Sequence, residues 1–442
     1  MSRIGVEVPP GFTLTTPLCQ VFQQSNDLPA EMWKMVKEAV KTVEADTGKK
    51  YGSDDNPLLF SCRSGAAISM PGMMDTVLNI GLNSRSVVGL GQATQCPRFA
   101  FDAYRRLLDM FGDVVLGIPH EAFERKMGEL KARTLVKEDV QFTAGQLKEL
   151  CHMYKQVYAE HGQQFPEDPY EQLEACIKAV FGSWNSERAI KYREIKGITN
   201  LVGTACNIQC MVFGNLGDTS GTGVAFSRHP GTGEPVMMGE YLINAQGEDV
   251  VAGIRTPQPI SRMKEVLPEA YEQFVKNVSL LEKHFSDMQD VEFTVENGKL
   301  WMLQCRSGKR NGLAAFRIAV DMVKEGLTTR EEAMLKIETD HVKQILHPTF
   351  SDEALSSPLY RGNIVAVGLA GGPGAAVGKL VFTPAKAEAC SKQSVILVRE
   401  VTSPEDVGGM WASQGILTAR GGITSRKFLQ RNRPDSFNWK EN

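Results

Sequence analysis

Two β-type runs flank Asn297-Gly298 in the segment Asp290–Arg306, and the register in which they pair decides which side chains share a face. A two-residue turn sets Val291 against Gln304 and Phe293 against Met302, which mixes polar and apolar residues on both faces. A three-residue turn, Asn297-Gly298-Lys299, instead pairs Val295 with Trp301, Phe293 with Leu303 and Val291 with Cys305. One face is then wholly apolar. Since a slip of one residue would turn that set out of the core, the three-residue turn is expected. The other face then carries Glu292 opposite Gln304 and Asp290 opposite Arg306. Opposed residues hold their Cβ atoms about 4.5–5.5 Å apart, so two carboxylates, an amide oxygen and a guanidinium converge on one patch. Hard oxygen ligands beside a cation suit Mg²⁺ bridging the phosphates of a nucleotide, with the arginine meeting phosphate oxygens in a fork. The same pattern also describes a solvated hairpin face with a cross-strand Asp–Arg pair.

Around this hairpin the apolar period changes several times. In Leu28–Thr47 the residues Met32, Val36, Val40 and Val43 recur at helical spacing. A strand over Leu58–Cys62 is expected to stop at Arg63-Ser64-Gly65. The stretches Pro97–Met110, Ala144–His161 and Pro169–Phe181 each carry one apolar stripe, so the region 86–197 reads as mainly helical. From Asn200 to Arg306 the period is two, with strands at Ala205–Phe213, Gly223–Ser227, Tyr241–Ala245, Val291–Val295 and Leu300–Cys305 and one helix near 261–285. That mixture is an α+β sheet layer. Helical spacing returns at Ala315, Ile318, Ala319 and Met322, with Gly326 as a stop and Thr329 and Glu332 as a capping box. A Gly-rich unit begins near Ile364.

At 442 residues the chain is long enough for about two to four domains. Its net charge of −3 argues against nucleic acid or an anionic membrane as a bulk electrostatic partner. Nine scattered cysteines with no CxxC spacing indicate neither a disulfide framework nor a zinc knuckle, and suit a reducing compartment. No stretch reads as a transmembrane helix or a secretory leader. A cytoplasmic or organellar location, plastid or similar, is expected.

Other segments admit a binding reading beside a plain one. The Gly-rich stretch Gly217–Gly223 lies between two expected strands, where backbone N–H groups can approach a polyphosphate; it can equally be an ordinary turn. It has neither the P-loop nor the dinucleotide-binding pattern. Beside it, Gln209, Met211 and Phe213 alternate with Cys206, Ile208, Cys210 and Val212, as an adenine slot with one amide or as a buried strand. Arg106 shares a helical face with Phe99 and Ala103 and has Asp102 one turn away for an ion pair. Glu248 and Asp249 offer metal or ribose contacts, or form a loop acid pair. The seven histidines have no partners at catalytic spacing.

Taken together, VPPGFTLTT (8–16), SCRSGAAISMPGMMDTVLNIGLN (61–83), YRRLLDMFGDVV (104–115), QCMVFGN (209–215), DTSGTGVAFSR (218–228), NAQGEDVVAGIRTP (244–257), MQDVEFTVENGKLWMLQCRSGKR (288–310), GGPGAAVG (371–378), TSPEDVGGM and GILTARGGITS (402–425) resemble the pyruvate phosphate dikinase family over residues 1 to about 425. The resemblance implies an α+β fold: an ATP-grasp nucleotide-binding domain with a helical insertion, a helical linker, and the start of a swivelling phosphohistidine domain. Laid on this chain, residues 1–85 are the first ATP-grasp subdomain, 86–197 the helical subdomain and 198–310 the second ATP-grasp subdomain. Residues 311–355 are the linker, 356–425 the truncated phosphohistidine domain and 426–442 an aberrant tail. It further implies that ATP, orthophosphate and pyruvate are converted to AMP, diphosphate and phosphoenolpyruvate. Arg63, Arg106 and Arg306 would neutralise the polyphosphate, and Glu292 and Gln304 would hold Mg²⁺ with Asp290 beside them. Thr222 and Gly223 would lie over the phosphates, Gln209, Met211 and Phe213 would line the adenine slot, and Glu248 and Asp249 would complete the site.

The chain departs from the family pattern in places. A GGKGANL-like lysine motif that precedes the matched segment in family members is missing, and Arg426 follows GGITS where the family has its phosphorylated histidine. A guanidinium stays protonated and cannot carry a phosphoryl group. The resemblance ends before the pyruvate-binding barrel through which family members form homodimers. Three readings follow: an incomplete representation of an active dikinase, a chain that binds Mg-ATP without catalysis, and phosphoenolpyruvate synthase, which uses water in place of orthophosphate.

Overall fold

The computed structural model describes every residue except 69, 71, 252–254, 347–350, 352, 354–355, 367–374, 391, 404–405, 420–437 and 441–442. It forms two compact units, Pro9–Val212 and Met1–Val8 with Phe213–Asn442.

The unit Pro9–Val212 is built on strands β1 (Gly11–Leu14), β4 (Phe60–Gly65), β5 (Thr76–Ile80) and β6 (Ala205–Cys210), in the order β1-β6-β4-β5 with every pair antiparallel. The short pair β2 (Lys50–Tyr51) and β3 (Pro57–Leu58) lies apart from it. Helices α1 (Thr16–Ser25) and α2 (Ala30–Thr47) precede the pair, and α2 buries the expected stripe Met32, Val36, Val40 and Val43. The helical region comprises α3 (Ser86–Ala93), α4 (Pro97–Met110), α5 (His120–Thr134), α6 (Ala144–Glu160), α7 (Pro169–Gly182) and α8 (Glu187–Lys196). Local chemistry sets several ends. Asp168 caps α7 by accepting from the backbone N–H of Tyr170 and Glu171, with Pro169 at the first helical position. Thr143 and Gln146 form a capping box on α6.

One expectation fails here. β4 does not stop at Arg63 but runs on through Gly65. It is an interior strand of the sheet: Arg63 pairs with Asn207 of β6 on one side and with Thr76 of β5 on the other. Pairing of Arg63 on both sides, and of Ser64 and Gly65 with β6, outweighs the weak local strand preference of Arg-Ser-Gly. Conversely, regular β6 ends at Cys210, short of the expected Phe213.

In the other unit a five-stranded antiparallel sheet runs in the order β11-β10-β7-β8-β9. Its strands are β7 (Gly221–Phe226), β8 (Met238–Ile243), β9 (Gln258–Pro259), β10 (Gln289–Glu296) and β11 (Lys299–Ser307). After the short α9 (Gly247–Val251) and α10 (Met263–Val266), helix α11 (Pro268–Phe285) lays Ala270, Phe274, Val278 and Leu281 on this sheet. The rings of Phe274 and Phe293 stand 4.4 Å apart, centroid to centroid. The linker contains α12 (Gly312–Lys324), α13 (Arg330–Leu335) and α14 (Thr339–Ile345). Gly326 has φ +71°, as a helix stop requires, and Thr329 and Glu332 form the expected capping box.

Beyond the linker a parallel sheet, β12 (Lys379–Val381), β13 (Val395–Arg399), β14 (Gly415–Thr418) and β15 (Asn438–Lys440), encloses a small core of Val381, Ala387, Val395, Leu397, Met410 and Ile416. The Gly-rich expectation at 371–374 and the segment 426–437 lie outside the described residues; 438–440 joins β14 as a strand, which a tail without apolar period did not suggest.

Candidate functional site

The hairpin corrects the expected turn and keeps the expected cross-strand pairs at its far end. Asn297 (φ +49°) and Gly298 (φ +80°) form a two-residue turn, so Val295 faces Leu300, Thr294 faces Trp301 and Phe293 faces Met302. A β-bulge between Glu292 and Phe293 then absorbs one residue of β11, Leu303. Beyond it the pairs are those first expected: Glu292 with Gln304, Val291 with Cys305 and Asp290 with Arg306. The bulge lets both halves keep their apolar residues inward, with Val291, Phe293, Val295, Leu300 and Met302 fully buried. A uniform register cannot do this. The tip is clamped by the preceding loop: the Asn297 N–H donates to Ser220 Oγ (2.9 Å) and the Gly298 N–H to the Thr219 carbonyl (2.8 Å).

On the site face, Arg306 Nη2 donates to Glu292 Oε1 at 2.5 Å, a diagonal pair between the two strands. Both side chains keep partial exposure, 22% for Arg306 and 28% for Glu292, while Asp290 is buried. Two carboxylates and one amide oxygen are the hard donor set that Mg²⁺ takes, and the residues present fit such an ion. Among the described residues no cluster of three or more His, Cys, Asp or Glu side chains is arranged to hold a metal. An ion here would therefore draw on the Gln304 oxygen and on atoms the protein does not supply, phosphate oxygens or water.

Two further candidates lie in the sheet itself. Thr222 and Gly223 lie within β7 and not in the loop before it. Thr222 is buried and its hydroxyl donates to the Phe293 carbonyl (2.9 Å). A Cβ on Gly223 would stand 2.7 Å from both the Glu240 carbonyl and the Phe293 ring, so packing alone demands glycine there. Phe213 is buried, and its N–H donates to Glu296 Oε1 (3.3 Å). Asp249 Oδ2 accepts from the Gln246 N–H (2.9 Å) at the start of α9; the side chain of Glu248 lies outside the described residues.

In the unit Pro9–Val212, Arg63 is half-buried on β4, and its Nε is sealed from solvent with no hydrogen-bond partner among the described residues. Arg106, on α4, donates from Nε to Asp102 Oδ2 (3.2 Å), the one-turn ion pair. Asp102 also accepts from Arg105 Nε at 2.8 Å. Burial alone would raise the Asp102 carboxyl, but Arg105, Arg106 and Arg98 around it hold it well below the usual carboxylate range. It is thus a fixed anion that positions Arg106. Gln209 is buried and its amide donates to the Pro9 carbonyl (3.2 Å); Met211 is buried, with its N–H on the Leu59 carbonyl (2.8 Å).

Sequence reasoning missed Arg105 and the central place of Asp102. The signal was present in Asp102-x-x-Arg105-Arg106, where the carboxylate meets both arginines at i+3 and i+4.

These features define an α+β chain whose five-stranded sheet carries a carboxylate, amide and guanidinium face on one hairpin. The family model described as pyruvate phosphate dikinase, AMP/ATP-binding domain, matches residues 28–268 and 261–327, and the one described as PEP-utilising enzyme, mobile domain, matches 391–427. The chain belongs to the pyruvate phosphate dikinase family. It is 57% identical over 429 residues to pyruvate, phosphate dikinase 1, chloroplastic, of Arabidopsis thaliana, covering 96% of this chain and 44% of that protein. It is 56% identical over 428 residues to pyruvate, phosphate dikinase 2 of Oryza sativa subsp. japonica, covering 96% and 48%. Against the chloroplastic enzyme of Mesembryanthemum crystallinum it is 55% identical over 429 residues, covering 96% and 45%. The chain spans a little under half the length of these curated relatives. Among the described residues no helix is long and apolar enough to cross a membrane.

Proposed function

We propose that this chain is the ATP-binding part of a pyruvate, phosphate dikinase, which converts ATP, orthophosphate and pyruvate to AMP, diphosphate and phosphoenolpyruvate. The observation that carries the reading is the hairpin face, where Asp290 with Arg306 and Glu292 with Gln304 form successive cross-strand pairs on one side, with the pair Val291 and Cys305 between them on the other. The nucleotide domain is read as ATP-grasp. Glu292 and Gln304 are the proposed Mg²⁺ ligands, with Asp290 beside them; when bound, the ion neutralises polyphosphate charge.

Arg306 is set to exchange Glu292 for a phosphate oxygen, since its guanidinium already lies within hydrogen-bond reach of that face. Arg63 brings a buried Nε with no hydrogen-bond partner among the described residues, and Arg106 a guanidinium whose aim Asp102 sets. Both are assigned to polyphosphate. Gln209, Met211 and Phe213 are assigned to the adenine, Thr222 and Gly223 to the strand beneath the phosphates, and Glu248 and Asp249 to the ribose side. A plastid or cytoplasmic location accords with relatives named chloroplastic.

A second reading, a chain that binds Mg-ATP without forming phosphoenolpyruvate, is favoured by Arg426 in place of a phosphorylated histidine. The deciding experiment supplies the protein with Mg-ATP and pyruvate, with and without orthophosphate, and measures nucleotide affinity and phosphoenolpyruvate together. Orthophosphate-dependent product supports the dikinase, and product without orthophosphate supports phosphoenolpyruvate synthase. Affinity without product, even when the phosphohistidine and pyruvate-binding part of a dikinase is supplied in trans, supports the second reading. No affinity for Mg-ATP overturns the nucleotide site.

A further inference from the structure

Within the unit Pro9–Val212, Cys62 of β4 and Cys206 of β6 lie on adjacent antiparallel strands. Cys62 pairs with Ile208 and Ser64 with Cys206, so the two cysteines are diagonal neighbours on one sheet face. Their sulfurs are 3.0 Å apart, inside the separation that two non-bonded sulfurs ordinarily keep, although the residues are 144 positions apart in sequence. Both side chains are fully buried. A disulfide needs the sulfurs at about 2.05 Å, so closure asks for a movement of roughly 1 Å. The neighbouring thiols Cys176, on α7, and Cys19, on α1, influence Cys206 electrostatically, and burial pushes the Cys206 thiol well up. Cys206 is therefore held as the thiol at rest and reacts slowly.

We propose that Cys62 and Cys206 are an oxidative modification site that hydrogen peroxide closes to a disulfide, coupling redox state to the strand that carries Arg63. One sulfur, as thiolate, attacks a peroxide oxygen; the O–O bond breaks, giving a sulfenic acid and a hydroxide that takes up the released proton. The second sulfur then displaces the sulfenic hydroxyl as water. Peroxide is reduced to two waters and the two thiols are oxidised to one disulfide. A small oxidant is required because neither sulfur is exposed to a bulkier disulfide reagent.

The consequence follows from adjacency. Arg63 is the next residue along β4, and tying Cys62 to Cys206 draws that part of the strand toward β6. This coupling rests on the nucleotide reading of Arg63. Oxidised protein is expected to bind Mg-ATP roughly tenfold more weakly, as for one misaligned charge-assisted hydrogen bond, and dithiothreitol restores the affinity.

The test treats the folded chain with hydrogen peroxide, blocks remaining thiols, and digests without reductant. The expected result is a joined peptide pair carrying Cys62 and Cys206, lighter than the sum by two hydrogens, with titratable thiols falling from nine to seven. Calorimetry with Mg-ATP on the same samples completes it. Absence of the joined pair, or equal joining of Cys62 to Cys176, overturns the site. A joined pair with unchanged affinity overturns the coupling. Reduced protein that joins normally but never binds Mg-ATP refutes the nucleotide reading and leaves the thiol chemistry standing. Cys62→Val should lose both the joined peptide and the peroxide effect.

Discussion

Glu292 holds two positions at once: it is the partner of Arg306 and a proposed ligand for Mg²⁺. Glu292→Gln keeps the shape and removes the charge, so the two roles separate by sign. With Mg²⁺ present, the variant loses one charged oxygen interaction of about 1.5–3 kcal/mol. At 1.4 kcal/mol per decade, that weakens Mg-ATP by roughly 10- to 100-fold. Without Mg²⁺, the carboxylate no longer competes with phosphate for Arg306, so metal-free ATP binds equally well or more tightly. The fold is spared, because a pair exposed to 22% and 28% contributes at most about 1 kcal/mol. Titration calorimetry of the variant with ATP, with and without Mg²⁺, reads both signs, and thermal unfolding checks the fold. Equal losses in the two titrations would refute the reasoning, because a metal ligand cannot matter where there is no metal.

Arg228 is buried with only 3% side-chain exposure and bridges Glu282 and Glu325, so Arg228→Leu should destabilise the protein by about 3 kcal/mol in urea unfolding. Arg228 holds the Glu325 carboxyl below its usual range, so this part of the stability is present above the ordinary glutamate pKa and is lost as pH falls through the depressed native value; a wild-type advantage that persists in strong acid would contradict it. Hydrogen bonding to Asp109 raises His120 to about 9, so its contribution is complete below the ordinary histidine value and fades as pH rises through about 9. NMR titration should show Asp109→Asn returning His120 toward the ordinary value, and a native His120 that already titrates there would dispose of the pair. Gly223→Ala drives a methyl into the Phe293 ring and the Glu240 carbonyl, costing about 1–3 kcal/mol; Phe293→Leu in the same chain should recover part of that loss, and an unaltered melting temperature for Gly223→Ala would show that the strand yields.

Much of the local structure is legible in the residues themselves, because its causes lie within one or two turns of chain. The stripe Met32, Val36, Val40 and Val43 needs only helical geometry and a core to face, and α2 buries it. Gly326 and the Thr329–Glu332 box are end signals that satisfy backbone groups with neighbouring atoms, and both appear where expected. The family is legible too, in long motifs in their order, and matching covers most of the chain.

What tertiary structure decided is pairing over distance. Sequence alone favoured a three-residue turn, since a single uniform register had to serve the whole hairpin; contacts of the tip with Thr219 and Ser220 impose two residues, and a bulge at Leu303 reconciles the halves. Arg63-Ser64-Gly65 reads locally as a strand end, yet Arg63 is paired on both sides and β6 carries Ser64 and Gly65 on through the ladder. Arg105 and Arg106 share one buried carboxylate, and Cys62 meets Cys206 across 144 positions of chain. Backbone conformation is set by near neighbours and can be read from them. Register, burial and the company of a side chain depend on which distant segment supplies the other half of the contact.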